Sequence, residues 1–237
     1  MSSSLTRTEL YSVAKVAAKI LESCGMPCFL VGGVACSAYG TTRCIQDIDI
    51  AVMTDEDQES VKRRLVRADS RFYLVYPKNR SAPYRVLWFR LGSQNPLTSR
   101  SCKIDILPRG TLNIPDVPSS RIRDIQGVPV APLLVLLCLK LQAWDHHGAA
   151  PQHWYRSKQP ADERDIGELL DIAIRAKENI AKESWIPRLF VRQAEERVPK
   201  YVASFMNLPT REKWKKIGLV TVTPVYSPFQ RRTDDEW

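Results

Sequence analysis

The sequence predicts an α/β fold of the α+β kind: a mixed sheet of four or five strands with flanking helices, followed by an all-helical C-terminal half. Two observations predict it. Up to residue 107, apolar or alternating stretches of strand length are interleaved with amphipathic stretches of helical period. After residue 132 the apolar residues recur with the helical period. We therefore expect a sheet-containing N-terminal half and a helical region packed against it.

The N-terminal half is predicted to alternate strands with helices. Thr8 is a candidate cap for a first helix that stops at Gly25. A buried strand at 28–31 leads through a glycine pair into a short helix at 34–39. A longer helix is expected at 55–68, and further strands at 47–53, 72–76, 84–91 and 103–107.

The C-terminal half begins with a Pro- and Gly-rich crossing segment, residues 108–132. A helix is expected at 133–146, and another from a cap at Asp162 to residue 176. Further helices are predicted at 182–206, with breaks at Pro187 and Pro199, and at 211–217. We divide the chain into a core of residues 1–112, a helical region of residues 113–219 and a tail of residues 220–237.

Composition is that of an ordinary globular protein, since 44% of the 237 residues are hydrophobic and 26% are charged. No stretch approaches the roughly 18 apolar residues that a membrane span needs. The first residues lack the basic and apolar regions of a secretion signal. The six cysteines form no C-x-x-C pair, which is typical of reduced thiols. We expect a cytoplasmic protein with no membrane partner.

The net charge of +9 is distributed unevenly along the chain. Residues 61–110 contain twelve Lys and Arg residues against two acids, an excess of ten positive charges. An excess of this size attracts phosphate-rich ligands, although a solvated basic face without a partner is the alternative. The candidate nucleic-acid contacts are Arg63, Arg64, Lys78 and Arg80.

Two acids share one face of a predicted strand. Asp47 and Asp49 are two residues apart, so both point to the same side, while Ile48 and Ile50 point to the core. Asp105 is a single acid in a second apolar strand. If the two strands are neighbours, the three carboxylates converge. Such a cluster suits Mg²⁺, or Mn²⁺, together with a phosphate ligand.

A glycine pair, Gly32 and Gly33, stands where a predicted strand turns into a helix. Glycines at such a turn let the backbone approach a phosphate, and the helix N-terminus favours an anion. Each of these motifs is common by itself. Their order is more specific: an apolar strand, the glycine pair, a short helix, an Asp-x-Asp strand, and later a strand with one Asp.

The stretch FLVGGVACSAYGTTRCIQDIDIAV resembles the signature of the DNA polymerase beta-like nucleotidyltransferase superfamily. Thirteen residues separate Gly33 from Asp47, and CKIDIL is similar to the strand that bears the family's third carboxylate. The Thr-Arg run before the acids resembles the branch of abortive-infection toxin nucleotidyltransferases, as does a lysine in LKLQAW followed by an Arg-Asp pair in ADERDIGELLDI. The relatives pictured most readily are uncharacterised fungal proteins.

The resemblance implies a nucleotidyltransferase-type mixed sheet and a catalytic site. Asp47 and Asp49 would hold two metal ions and the triphosphate. Asp105 would hold the catalytic metal and accept the proton of the acceptor hydroxyl.

The remaining roles that the resemblance implies concern the nucleotide. Gly32 and Gly33 would cradle its phosphates, and Lys140 would reach toward the triphosphate. Ser37 stands where several relatives have a small polar residue. A lysine that merely reaches solvent from an amphipathic helix is the alternative for Lys140. The alternative for Arg164 and Asp165, the Arg-Asp pair, is a set of first-turn surface charges.

Three functions are compatible with these residues. The first is transfer of a nucleoside monophosphate from an NTP to a hydroxyl, with Mg²⁺ or Mn²⁺, and with RNA such as tRNA as the acceptor. The second is tRNA-dependent cyclodipeptide synthesis on the same kind of scaffold. The third is a non-catalytic RNA-binding module with a decayed site, against which the presence of all three acids argues. Aromatic residues between the basic ones are candidates for stacking on bases or for sheet core.

Overall fold

The protein, described by a computed structural model over residues 5–92, 100–205 and 208–219, is built on one seven-stranded mixed sheet. Its strands lie in the order β3-β4-β5-β2-β1-β7-β6. The strands are β1 (Cys28–Val31), β2 (Asp47–Val52), β3 (Phe72–Val75), β4 (Val86–Leu91), β5 (Arg100–Pro108), β6 (Arg123–Ile125) and β7 (Val128–Val130).

Helices pack around this sheet and continue the chain beyond it. They are α1 (Arg7–Ser23), α2 (Gly32–Tyr39), α3 (Gln58–Ala68), α4 (Leu133–Ala149), the single turn α5 (His153–Arg156), α6 (Gln159–Arg175), α7 (Arg188–Phe205) and α8 (Leu208–Lys216). Short 3₁₀ turns occur at Thr111–Asn113, Ser119–Arg121 and Ile180–Lys182. The predicted fold class is therefore confirmed.

The strand β2 is central to the site, because it pairs in parallel with β5 and antiparallel with β1. Alternate residues of β2 and β5 are buried isoleucines on one face of the sheet. On this side α1 contacts β1 and β2, and α3 contacts β3 and β5. The residues between the isoleucines point to the opposite face. The buried isoleucines are Ile48, Ile50, Ile104 and Ile106.

Two helices begin one or more residues away from their predicted starts. Thr6, rather than Thr8, caps α1, and it forms a capping box with Glu9. Asp57 caps α3 by accepting a hydrogen bond from the backbone of Ser60, so that helix begins after residue 55. In both cases a second capping residue lies nearby in the sequence, and the hydrogen bond decides between them.

The helices of the C-terminal half also differ in their bounds. Asp162 is not the cap of α6, because this helix begins at Gln159 and the Asp162 side chain is buried. The helix predicted at 182–206 begins only after Pro187 and continues through Pro199. The predicted tail from residue 220 lies outside the described residues.

A short hairpin, β6–β7, enlarges the sheet beyond the four or five strands that we expected. It lies in the predicted crossing segment, and β7 pairs in parallel with β1. The C-terminal half is therefore not helical throughout, since its first part completes the sheet. Gln126 and Gly127 form the two-residue turn, both with positive φ, of 56° and 74°. Gln-Gly is a weaker hairpin signal than Asn-Gly, which explains why the pattern was missed.

All six cysteines are free thiols, as the sequence predicted. Within the described ranges, the structure contains no helix with the length and apolar character needed to cross a membrane.

The hairpin turn generates a prediction about stability. Gln126→Asn should raise the free energy of unfolding by about 0.5 kcal/mol, because Asn tolerates positive φ better than Gln. Gln126→Val should lower it by about 1–2 kcal/mol, because a β-branched residue is strained there. Urea denaturation of the three proteins measures both effects. Equal stability of the Asn and Val variants would contradict the turn geometry.

Candidate functional site

The three predicted acids share one face of two neighbouring strands. In the parallel register of β2 and β5, Asp49 lies directly opposite Asp105. Asp47 lies two residues earlier on β2, opposite Lys103. The prediction that these segments are adjacent strands is confirmed. The site is thus a cluster of three acids and one lysine on the face opposite the buried isoleucines.

The environment of Asp49 raises the pKa of its carboxyl group. Burial, and then the negative charges of Asp47 and Asp105, raises the pKa of Asp49 to about 7. We expected like-charge repulsion to raise a pKa here, and it contributes, but loss of contact with water is the larger cause. The site therefore holds a carboxylate whose ionisation depends on a nearby positive charge near neutral pH.

Lys103 supplies part of that positive charge. Its ammonium group forms an ion pair with the carboxylate of Asp105. Burial alone would lower the pKa of Lys103, but the bond to Asp105 and the neighbouring acids raise it. The sequence interpretation missed Lys103. The signal was present, because a residue two positions before Asp105 on a strand points to the same face.

Gly32 and Gly33 lie directly beside the acids. Gly32 is the first residue of α2 and has a φ of 62°, a backbone conformation that favours glycine. A Cβ atom at Gly32 would lie 1.9 Å from Oδ2 of Asp49. A Cβ at Gly33 would lie 3.1 Å from Nε of Arg43. The glycine pair thus lets the Asp49 carboxylate and the Arg43 guanidinium approach the same turn.

Lys140 lies in a buried charge cluster between α4 and α6. Its side chain is only 8% exposed, and its Nζ atom lies 2.8 Å from Asp165 and 3.3 Å from Asp162. Asp165 also accepts a hydrogen bond of 2.5 Å from Arg43, and Asp162 lies 2.5 Å from Nδ1 of His147. We call these five side chains the α4–α6 charge cluster. The solvent-reaching alternative for Lys140 is therefore wrong, and the surface-charge alternative is wrong for Asp165 but correct for Arg164, which is exposed.

Among the described residues, neither Ser37 nor Arg164 forms a side-chain hydrogen bond to the three acids. The Ser37 side chain is buried in α2, and its hydroxyl group shares a 3.3 Å hydrogen bond with Tyr11 of α1. Arg164 is exposed on α6. A contact of Ser37 with the nucleotide stays a prediction.

The predicted nucleic-acid contacts fall on two different surfaces. Arg63 and Arg64 lie on α3, the helix that covers the isoleucine face, and Arg64 forms an ion pair with Glu56. Lys78 and Arg80 are exposed in the connection between β3 and β4. The acids and the α3 arginines therefore lie on opposite faces of the sheet.

The net positive charge around residues 61–110 is smaller in the folded protein than the sequence count suggests. Four of the twelve basic residues form ion pairs with acids outside residues 61–110. These are Lys62 with Glu59, Arg64 with Glu56, Arg100 with Glu9, and Arg109 with both Asp55 and Asp116. Folding thus neutralises part of the excess, because acids from other segments approach it.

The aromatic residues of the basic segment divide between core and surface. Phe72 and Phe89 are core residues in edge-to-face contact. Tyr73 and Trp88 are cross-strand partners on the acid-bearing face, and Trp88 also lies opposite Lys103. Tyr73 is further covered by the guanidinium group of Arg90, 5.2 Å from its ring centre. The segment thus contains core aromatic residues and half-buried ones on the acid-bearing face, and stacking on bases stays a prediction.

No protein-family model matches this chain, and no curated protein matches it. Solved structures resemble it over nearly its whole length. An antigenic nucleotidyltransferase-like protein from Paracoccidioides brasiliensis has a TM-score of 0.64 at 16% identity, over 90% of this chain and 95% of that chain. The JHP933 protein from Helicobacter pylori has a TM-score of 0.49 at 15% identity, over 92% of this chain and 91% of that chain.

The fold assignment depends on the fungal structure, whose likeness to this chain is the greater of the two. It agrees with the glycine pair, the Asp-x-Asp strand and the third-acid strand, which carry the same resemblance in the sequence. The chain therefore has the fold of the nucleotidyltransferase-like proteins.

Proposed function

We propose that this protein is a metal-dependent nucleotidyltransferase that moves a nucleoside monophosphate from an NTP to a hydroxyl group, with RNA, and tRNA in particular, as the acceptor. One observation carries the proposal: Asp49 lies opposite Asp105 on adjacent strands while Gly32 touches the Asp49 carboxylate. Phosphoryl transfer needs both features side by side. The acids hold the metal ion that binds the phosphate, and the glycine turn lets the backbone approach that phosphate.

The donor set fits a divalent cation such as Mg²⁺ or Mn²⁺. Asp47, Asp49 and Asp105 are carboxylates, the oxygen donors that hard cations prefer, and their mutual repulsion favours a cation. Among the described residues, no three His, Cys, Asp or Glu side chains already stand as a ligand set. Asp105 is paired with Lys103 instead. A bound cation would neutralise the phosphate oxygens and lower the pKa of a coordinated hydroxyl.

The chain's own residues then bind, orient and accept a proton. The Gly32–Gly33 turn leaves room for the triphosphate next to Asp49. The acceptor oxygen forms a bond to the α-phosphorus as the bond to the β-phosphate oxygen breaks, and pyrophosphate leaves. The hydroxyl proton passes to the carboxylate of Asp105. Lys103 would give up its ion pair with Asp105 when the cation binds, and its ammonium group would then compensate negative charge on the phosphates.

RNA is supported as the acceptor by exposed cations in the part of the sheet that lies on the β5 side of the acids. Lys78 and Arg80 are exposed where β3 leads into β4, and these strands lie on the β5 side of the acids. Trp88 continues the cross-strand row of Asp47 and Lys103 onto β4. A strand of RNA can pass along this row, whereas Arg63 and Arg64 would be reached only around the edge of the sheet.

The first prediction concerns activity. Asp49→Ala should lower transfer at least about a thousandfold, a loss of about 4 kcal/mol of transition-state stabilisation. The assay supplies each labelled NTP with Mg²⁺ or Mn²⁺ and total RNA, and measures label in RNA, protein and small molecules separately. Asp116→Ala, which removes an acid that is 65% exposed, is the matched control and should stay active. An active Asp49→Ala protein would rule out this mechanism.

The second prediction concerns pH and the metal-free protein. Folding raises the Asp49 pKa from 3.8 to about 7, so between these values the folded state keeps a proton that the unfolded state has lost. Stability should therefore fall as pH rises through this window. Asp49→Asn should remove about 2 kcal/mol of that fall. Denaturation in chelator at about pH 5 and about pH 8 compares the two proteins. An identical pH dependence in both would contradict the burial of Asp49.

The third prediction concerns RNA. Combined Lys78→Ala and Arg80→Ala substitutions should weaken RNA binding and make it less salt-dependent, because each lost phosphate contact releases roughly one condensed counterion fewer. Fluorescence anisotropy at about 50 and about 200 mM salt measures the change. Arg192→Ala, an exposed cation on α7, is the control and should bind as the unmodified protein does. RNA binding that is absent, or indifferent to salt, would favour a small-molecule acceptor.

A further inference from the structure

The segment between α2 and β2 brings a cation to the glycine turn. The Nε atom of Arg43 lies 3.1 Å from the position of a Cβ atom at Gly33, a distance that a larger residue would disturb. On the other side of the same turn, Gly32 touches Asp49. The acids and Arg43 therefore flank the two glycines. With a divalent cation on the acids, a ligand that spans the cation and Arg43 would carry negative charge at more than one position, as a triphosphate does.

Arg43 is held in place by a buried carboxylate. Asp165 is only 1% exposed, and it accepts the 2.5 Å hydrogen bond from the Nη1 atom of Arg43. The Arg43 side chain is 28% exposed. Within the described part of the chain, this is the one side-chain hydrogen bond that the guanidinium group makes. A guanidinium group has five N–H donors, so most of them remain for a ligand.

Lys140 lies between two buried carboxylates, one of which also holds Arg43. It contacts Asp165 and Asp162, and its side chain is only 8% exposed. If Lys140 turned toward a phosphate, two buried carboxylates would lose a cation, which is costly. Arg43 can contact an anion without leaving Asp165, because its planar guanidinium group can direct one edge to Asp165 and another edge to the anion.

We propose that Arg43 contacts the triphosphate of the nucleotide, that Asp165 positions Arg43, and that Lys140 is the buried counter-ion of Asp165. This inference rests on the proposed nucleotidyl transfer. It gives the phosphate contact to the residue at the glycine turn, rather than to the lysine that the sequence resemblance suggests. The first-turn N–H groups of α2 contribute donors on the same side, since the cap residue Val31 offers no side-chain bond to them.

Binding without turnover tests the assignment. Isothermal titration calorimetry with Mn²⁺ compares each α,β-methylene NTP with the matching NMP, so that contributions of the base cancel in the ratio of the two affinities. Arg43→Lys keeps a positive charge beside Asp165 but loses the planar fork. It should reduce the preference for triphosphate over monophosphate about tenfold or more, since hydrogen bonds to charged groups are this strong. Arg43→Ala should reduce it further.

Two controls keep the result specific. Arg121→Ala removes a half-exposed arginine elsewhere and should leave the preference unchanged. The thermal unfolding temperature of Arg43→Lys should be close to that of the unmodified protein. Lys140→Met should unfold at a clearly lower temperature, because it removes the positive charge between two buried carboxylates. If Arg43→Ala unfolds, Arg43→Lys alone decides.

The outcomes separate this inference from the proposed function. An unmodified protein that prefers triphosphate, with the preference unchanged in Arg43→Lys and Arg43→Ala, overturns the role of Arg43 and leaves nucleotidyl transfer intact. An unmodified protein that binds no NTP overturns both. A preference that falls in both Arg43 variants while the Arg121→Ala control retains it supports the assignment.

Discussion

The parallel pairing of β2 with β5 is the constraint on which the site depends. Its register places Asp49 opposite Asp105, and the isoleucines on the other face are buried under α1 and α3. Because side chains alternate along a strand, a slip of one residue would turn the acids into the core and the isoleucines into water. The apolar face therefore determines where the charges lie. The repulsion between Asp49 and Asp105 does not separate the strands, because burial of the isoleucines on the other face holds them together.

Much of the fold was predictable, because it depends on local pattern. The Asp-x-Asp strand and the single-Asp strand were recognisable from alternation alone, and their adjacency followed from the family signature. The β6–β7 hairpin was not predictable, since its strands have three residues each and its turn carries Gln126. Such a short strand is stable only because β1 offers a paired edge, which is a long-range contact.

The site itself was predictable in its acids and its glycines but not in its cations. Lys103 could have been found from its spacing to Asp105. The partnership of Arg43 with Asp165 could not, because it joins residues 122 positions apart. The count of positive charges in residues 61–110 overestimated the local charge, again because of contacts between distant parts of the chain. Acids such as Glu9 and Asp116 approach the basic segment only after folding, so the field around it is weaker than the sequence suggests.

The attachment of α6 to the segment before β2 bears on how the protein moves. Besides the Arg43–Asp165 bond, both the backbone and the hydroxyl group of Thr42 donate to Glu168, at 2.7 and 2.5 Å. Two consecutive residues next to the glycine turn are thus fastened to the helical region. Movement of α6 away from this segment would break these three bonds, and α6 is further joined to α4 by the ion pairs of Lys140 with Asp162 and Asp165. We therefore expect the glycine turn and α6 to behave as one rigid unit, so that Arg43 is already oriented before any ligand arrives.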